Sequence, residues 1–333
     1  MAIFLLKNHK ILISSIVAST VLAAPPATAE ESSYVGIAKL FPGIQKLCEP
    51  VPKPYPNFMT NYVYKFPESF PEAKVFDNLY YLGNHAASSW AIKTEEGIIL
   101  IDTLDNEEEA KFSIEGGLKK LGLDPSTIKF IIITHGHIDH YGGARYLAEK
   151  YRARVIMGEK DWEKAAQRAK VGLPAGFTTP SRDISVKSRD QVTLGSTTVK
   201  MIITPGHTRG TISMIFPVTD KGVRRNVAFW GGMGLNLGPN IEPYSAYAKS
   251  ADLMKSEAYS NKAQIFLSNH AKFDYADKKI EINKNTNSGN AFTNTTPEIV
   301  GAFGLLAHCA QSQIEFIKQD GVNGGAKVGR GAE

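Results

Sequence analysis

Between His135 and His140, six residues carry three of the chain's eight histidines and one carboxylate: His135-Gly136-His137-Ile138-Asp139-His140. Imidazole nitrogen and carboxylate oxygen are donors that zinc accepts. A polar loop with scattered histidines would not gather them so tightly. If the segment is extended, side chains alternate, so His135, His137 and Asp139 face one way while Gly136 lets the backbone pass close to an ion. Two further histidines follow strand-like runs: His207 after the tight turn Thr204-Pro205-Gly206, and His270 after Gln264 to Ser268 and Asn269. Six donors suit two ions. The division expected from zinc chemistry gives His135, His137 and His207 to one and Asp139, His140 and His270 to its neighbour. Two zinc ions about 3.5 to 4 Å apart generate a hydroxide nucleophile and stabilise the developing oxyanion or leaving group.

The elements that must position these donors are legible as strand ends. Ile128 to Ile133 is a short run, apolar but for Lys129, the pattern of a buried strand. After the histidine loop, Ala144, Leu147, Ala148 and Tyr151 fall at helical spacing, making a strand-loop-helix unit with its donors at the sheet's carboxyl edge. Upstream, Val75 to Leu82, Ser89 to Thr94 and Gly97 to Asp102 read as an antiparallel meander. Asp102 ends the last of these runs, where a buried carboxylate must find partners. It is expected to brace the ligand loop without touching the metal. A helix opens at Asn106 and runs to Leu121; Arg154 to Met157 and Glu159 to Ala169 make another strand and helix. Val171 to Arg182 reads as a loop that could lie over the site. Further strands are expected over Gln191 to Leu194, Thr198 to Ile203, Thr211 to Pro217, Asn226 to Trp230 and Gln264 to Ser268. Helices are expected over Glu242 to Ala258 and from Thr296 as N-cap with Pro297 first in the helix. His85 reads as a turn histidine and His308 as a helix-surface one. Gly231-Gly232-Met233-Gly234 lacks the spacing of a phosphate cradle, so these glycines are read as letting the backbone approach the metal pocket.

At 333 residues and 43% hydrophobic, the chain can bury a large core. Lys7 and Lys10, the apolar Ile11 to Ala24 and Ala27-Thr28-Ala29 read as a secretory signal peptide over 1–29, too short in its apolar part to span a bilayer. An extended, proline-rich arm is expected over 30–73, the main domain over 74–320 and a frayed tail over 321–333. The formal charge of +5 includes the two leader lysines, and so mild an excess argues against nucleic acid. The expected molecule is a monomer in the periplasm or secreted, acting on a small molecule. Cys48 and Cys309 could bridge or remain buried thiols.

The pattern His-x-His-x-Asp-His, followed by Gly206-His207 and the late His270, resembles the metallo-β-lactamase superfamily. The resemblance runs from about Asp77 through Gly97 to Thr103 and both histidine loops to the last helix. It is nearest to the third subclass of metallo-β-lactamases, which uses no cysteine ligand. It implies an αββα sandwich, two mixed sheets face to face with helices outside and zinc at one edge. It also implies His135, His137, His207, Asp139, His140 and His270 as ligands, Asp139 as the catalytic carboxylate and Asp102 as the family's bracing aspartate. The implied activity is opening of a β-lactam ring by metal-bound hydroxide. The alternatives on the same fold are a zinc hydrolase of another ester, lactone or thioester, or an iron-dependent oxidoreductase. Two departures stand out: Gly231-Gly232 occupies the place where glyoxalase II enzymes have a bridging aspartate, and Gly232 and Gly234 stand where third-subclass enzymes often have serines for the substrate carboxylate. Asn236 is left as the polar side chain of that loop for binding substrate. On this reading, serines at 232 and 234 should improve β-lactam hydrolysis.

Overall fold

The apolar strand runs assemble into two mixed sheets. In this computed structural model, residues 29–51, 70–173, 176–286 and 289–323 are described. Residues 1–28 of the expected leader, 52–69 of the expected arm and 324–333 of the expected tail fall outside them. The first sheet follows chain order: β1 (Ala73–Lys74), β2 (Leu79–Tyr81), β3 (Trp90–Thr94), β4 (Gly97–Ile101), β5 (Ile128–Ile132), β6 (Arg154–Gly158) and β7 (Ile184–Val186). β1 to β4 pair antiparallel, and β4 to β7 pair parallel. The second sheet has β8 (Gln191–Leu194), β9 (Thr197–Ile203), β10 (Ile212–Asp220) and β11 (Val223–Trp230) antiparallel, with β12 (Ala263–Ser268) parallel beside β11.

Between the sheets lie Trp90, Ile99, Ile101 and Ile132 from one side and Met214, Phe216, Phe229 and Ile265 from the other. Ile98 and Leu100 of β4 point outward instead, against Ile114, Leu118, Leu147 and Trp162 of covering helices. A strand buried on both faces reads as a continuous apolar run, which is why Gly97 to Ile101 shows no alternation. The helices, in chain order, are α1 (Ala29–Leu40), α2 (Pro42–Gln45), α3 (Glu107–Glu109), α4 (Gly116–Lys120), α5 (Ile138–Tyr141), α6 (Ala144–Tyr151), α7 (Glu159–Val171), α8 (Ile241–Ser260), α9 (Ala271–Asp274), α10 (Ala276–Asn285) and α11 (Thr296–Asn323). A π-helical stretch, Ala110–Glu115, joins α3 to α4. Tyr244, Tyr247 and Met254 of α8 and Phe303 and Leu306 of α11 cover Trp230 and Phe266 on the outer face of the second sheet. The layers are therefore helix, sheet, sheet, helix: an αββα sandwich. Among the described residues no helix is long and apolar enough to cross a membrane.

Three expectations about the elements need correction. The expected extended arm is helical over Ala29–Leu40 and Pro42–Gln45. Tyr34, Ile37, Ala38 and Phe41 fall at helical spacing and pack with α11, where Tyr34 stacks on His308 at 5.4 Å. The prolines that suggested extension all lie beyond that stripe. Val75 to Leu82 is not one strand, because Asp77 and Asn78 form a turn in which Val75 and Phe76 N–H both donate to the Leu79 carbonyl. The last helix is capped by Thr295 rather than Thr296: Glu298 N–H donates to Thr295 Oγ1, and Thr295 N–H donates to the Glu298 carboxylate at 2.7 Å. This reciprocal pair is a capping box. Cys48 and Cys309 are joined by a disulfide that ties the N-terminal helical segment to α11.

Candidate metal centre

β5 ends at Ile132, and three residues later the chain delivers His135 to the sheet's carboxyl edge. β9 and β12 end beside it and bring His207 and His270. His135 Nε2 stands 3.0 Å from His137 Nδ1, and His207 Nε2 stands 3.1 Å from the same atom. These three nitrogens form one candidate metal-holding group; Asp139, His140 and His270 form a second. In the second, Asp139 Oδ2 is 3.1 Å from His140 Nε2 and 3.7 Å from His270 Nε2. The structure thus gathers all six sequence-predicted donors in the expected division.

Two features of the donors fit zinc. Nitrogens 2.0 to 2.1 Å from one tetrahedral ion lie about 3.3 Å apart, close to the spacing found here. His140 Nε2 is fully buried and faces the Asp139 carboxylate at 3.1 Å, and an ion held between the two would satisfy both donors. The opposite ring nitrogens, meanwhile, face acceptors: His135 Nδ1 is 3.0 Å from the Gly231 carbonyl, His207 Nδ1 3.1 Å from the Gly234 carbonyl, and His270 Nδ1 2.7 Å from the Ala86 carbonyl. Such contacts fix the tautomer and leave the other nitrogen's lone pair facing the centre.

Asp102 sits where the sequence suggested, fully buried behind the ligand loop. Its oxygens accept from Thr134 N–H at 2.7 Å and Thr134 Oγ1 at 2.7 Å, and His140 Nδ1 lies 2.8 Å away. Its backbone is left-handed, with φ 59°, a costly conformation for a residue other than glycine and one that clusters at functional sites. Burial raises the Asp102 carboxyl above the ordinary aspartate value, and His140 and Thr134 oppose that rise. Burial alone would depress His140, yet Asp139 and Asp102 raise it to about 10. Burial would likewise raise Asp139, but His140 and His270 hold it well below the usual carboxylate range. Burial and neighbouring histidines hold His135 and His137 well below the ordinary imidazole value, as neutral rings.

Two supporting residues were not visible in the sequence. Asp161, in the first turn of α7, accepts from Gly136 N–H at 2.7 Å, Thr208 Oγ1 at 2.6 Å and Gly210 N–H at 3.1 Å, clamping both histidine loops together. Nothing distinguished it from any acidic residue opening a helix. Asn269 donates to the Gly231 carbonyl at 2.7 Å and to Thr134 Oγ1 at 3.2 Å, joining the third loop to the first. Its one signal was its place beside His270.

Several local expectations change. The ligand loop is not extended throughout: α5 makes a helical turn of Ile138–Tyr141, which is why Asp139 joins His140 rather than following His135 and His137. Gly136 makes room for Asp161, whose Cβ would stand 3.0 Å from an added Cβ, rather than for an ion. A Cβ on Gly232 would lie 2.8 Å from His207 Cβ and 2.9 Å from Thr211 Cγ2, so serine there is not a harmless gain. Asn236 is exposed; its Oδ1 lies 3.1 Å from where a Cβ on Gly234 would stand, beside the His207 ring. His85 is a turn histidine whose Nδ1 is 3.3 Å from Asp277 Oδ2.

Comparison with known proteins agrees with this geometry. Residues 82–220 match the metallo-beta-lactamase superfamily model. Hydroxyacylglutathione hydrolases of Brucella ovis and Brucella abortus (strain 2308) are each 38% identical over 106 residues, 32% of this chain and 35% of theirs. The match thus spans about a third of the length of these relatives. Among solved structures, BJP-1, a subclass B3 metallo-beta-lactamase of Bradyrhizobium japonicum, is 25% identical with a TM-score of 0.62, covering 77% of this chain and 97% of that one. Native FEZ-1 metallo-beta-lactamase from Legionella gormanii is 27% identical with a TM-score of 0.63, covering 77% and 98%. Fold, histidine groups and family match converge on one statement: the chain carries a metallo-beta-lactamase superfamily domain.

Proposed function

We propose that this protein is an exported, monomeric dinuclear zinc hydrolase that opens the ring of β-lactams. The observation that carries the reading is the pair of donor groups sharing one sheet edge, with the outward nitrogens of His135, His207 and His270 facing carbonyls and that of His140 facing Asp102. His135, His137 and His207 would hold one zinc ion; Asp139, His140 and His270 would hold the other. Zinc, when bound, supplies a Lewis acid for the scissile carbonyl and lowers the pKa of water to about 7.

The chain's own residues do the rest. Asp139, ionised at neutral pH and partly exposed, accepts a proton from the attacking water and returns it to the leaving nitrogen. Asp102 holds the His140 ring, and Asp161 holds the two histidine loops in register. Asn236 lies at the rim, where it offers an amide to the substrate.

The β-lactam reading is favoured over other acyl substrates because the likeness to the subclass B3 enzymes extends over nearly the whole of those chains. The likeness to hydroxyacylglutathione hydrolases is confined to 106 residues, but it makes a thioester the second reading. Zinc-loaded protein assayed with a β-lactam, a lactone and a thioester decides between them. Turnover of the β-lactam is expected. Turnover of the thioester or lactone without the β-lactam transfers the assignment to the second reading, and no turnover of any of the three overturns the hydrolase.

A further inference from the structure

His270 reaches the metal centre alone, while its two partners in the second donor group share one loop. Asp139 and His140 lie on the loop that Asp102 and Asp161 brace; His270 follows β12, and the chain turns straight into α9 after it. That turn is closed upon itself. Asp274 accepts from Ser268 N–H at 2.6 Å, Ser268 Oγ at 3.1 Å and Ala276 N–H at 2.9 Å, and Phe273 N–H donates to the His270 carbonyl at 3.0 Å. Bonds internal to the turn fix its shape without fixing its place, so residues 268–276 shift as a unit. Asn269 anchors this unit on the side of the first histidine loop. On the other side its seat is α2.

Two contacts make the seat. Gly43 of α2 lies so close to α9 that an added Cβ would stand 2.6 Å from Phe273 Cα and 2.7 Å from the Phe273 carbonyl carbon. Packed backbone cannot swing aside as a flexible side chain can, so a shift of α2 is passed on to α9. Two residues before Gly43, Phe41 meets Phe266 of β12 edge to face at 5.7 Å. The Phe273 ring stands edge-on to the His270 ring at 6.2 Å. A helix of four residues such as α2 does not hold its place unaided. It is held from behind by α11, through the Cys48–Cys309 disulfide and through Gln313, which donates to the Leu47 carbonyl at 2.9 Å and the Glu49 carbonyl at 2.6 Å.

We infer that the Cys48–Cys309 disulfide positions His270: by fixing α2 on α11 it sets the seat of α9, and so makes the second donor group depend on the oxidised state of the chain. The first group stands on other supports, the Gly231 and Gly234 carbonyls and Asp161. The inference rests on the reading of a dinuclear site and not on any choice of substrate.

Metal-free wild type, Cys48→Ala/Cys309→Ala and Gly43→Ala are titrated with zinc against a competing chelator, with His207→Ala and His270→Ala assigning each step to one donor group. Leu118→Ala opens a cavity in α4, over the outer face of the first sheet, and is the control for lost stability alone. Amide exchange at Phe273 is read on the same metal-free proteins, relative to that of Ile133, which is bonded to Ile156 within the first sheet. Cys48→Ala/Cys309→Ala and Gly43→Ala are each expected to weaken the second ion by about tenfold or more, the effect of disturbing a ligand's support, while the first is unchanged. Phe273 exchange should rise by about tenfold relative to Ile133 in both, as local opening would have it, and not in Leu118→Ala. Either substitution carries the test if the other fails to fold. Wild-type affinity for the second ion with wild-type protection at Phe273 overturns the inference, and so does an equal weakening of both ions, which would make the disulfide a general staple. Binding of a single ion by wild type counts against the dinuclear reading, and Phe273 exchange then decides the positioning by itself.

Discussion

Replacing Gly232 by serine puts a side chain where the structure has no room for one. The added Cβ would stand 2.8 Å from His207 Cβ, 2.9 Å from Thr211 Cγ2 and 3.3 Å from Thr211 Oγ1. Carbon atoms in good contact sit about 3.5 to 4.0 Å apart, so something must move by roughly 0.7 to 1 Å. Thr211 is fully buried and held by Thr208, whose N–H and hydroxyl both meet Thr211 Oγ1. His207 is therefore the side that gives way, carrying with it the Nε2 atom that stands 3.1 Å from His137 Nδ1. Metal sites tolerate ligand displacements of only about 0.2 Å. We expect Gly232→Ser to cost about 1 to 3 kcal/mol of stability, as overpacking does. It should also weaken the ion held by His135, His137 and His207 by at least about 10- to 100-fold, the effect of disturbing a ligand's support. Gly234→Ser is the informative control: its nearest neighbour is Asn236 Oδ1 at 3.1 Å, but its φ is +104°, so it strains the backbone while touching the histidine less. Zinc content after dialysis against limiting zinc, together with denaturant midpoints, reads both effects. Gly232→Ser that keeps two ions at wild-type affinity would refute the packing argument and restore the sequence-based idea that serine here is a gain.

Asp161→Ala leaves Gly136 N–H, Gly210 N–H and the Thr208 hydroxyl without their acceptor, and unpaired buried groups cost about 1 to 3 kcal/mol each. A denaturation midpoint lowered by a total of about 3 kcal/mol or more is expected; a change below about 1 kcal/mol would show that the clamp is not needed. Asp139→Asn should lower turnover by at least about a hundredfold, as expected of a proton-transfer residue, and near-normal turnover with full zinc content would mean the role is misassigned. Stability of the metal-free protein should depend on pH in two directions. Burial lowers His207 to about 4 and His270 to about 3, so the stability these rings contribute is present above the unfolded value of about 6.5 and is lost as pH falls through theirs. His140, raised to about 10, contributes stability that is present below about 6.5 and is lost as pH rises toward 10. Denaturant midpoints should thus peak near pH 6.5, and a flat profile from 6.5 down to 4 would contradict the burial of the two histidines.

The donors could be seen in the sequence because ligand chemistry demands particular residue types and the strand ends that carry them are short apolar runs. Asp102 was legible for a related reason, as a carboxylate ending a run too apolar to leave it unpaired. Asp161 and Asn269 were not, because what makes them matter is contact between loops separated by 36 or more positions for Asn269 and 25 or more for Asp161. Spacing along the chain carries no trace of such contacts. Gly232 shows the same limit from the other side: its lack of a side chain reads as a missing function until its distance to His207 Cβ is known. The N-terminal helices were obscured by the prolines after Cys48, although Tyr34, Ile37, Ala38 and Phe41 carried a helical period.

The central claim, that six side chains form one dinuclear zinc centre, is tested most directly by counting metal. Purified protein equilibrated with zinc and freed of excess should hold two ions per chain, and His207→Ala and His270→Ala should each lose a different one while keeping the other. Binding of a single ion, or of two ions unaffected by either substitution, would contradict the account.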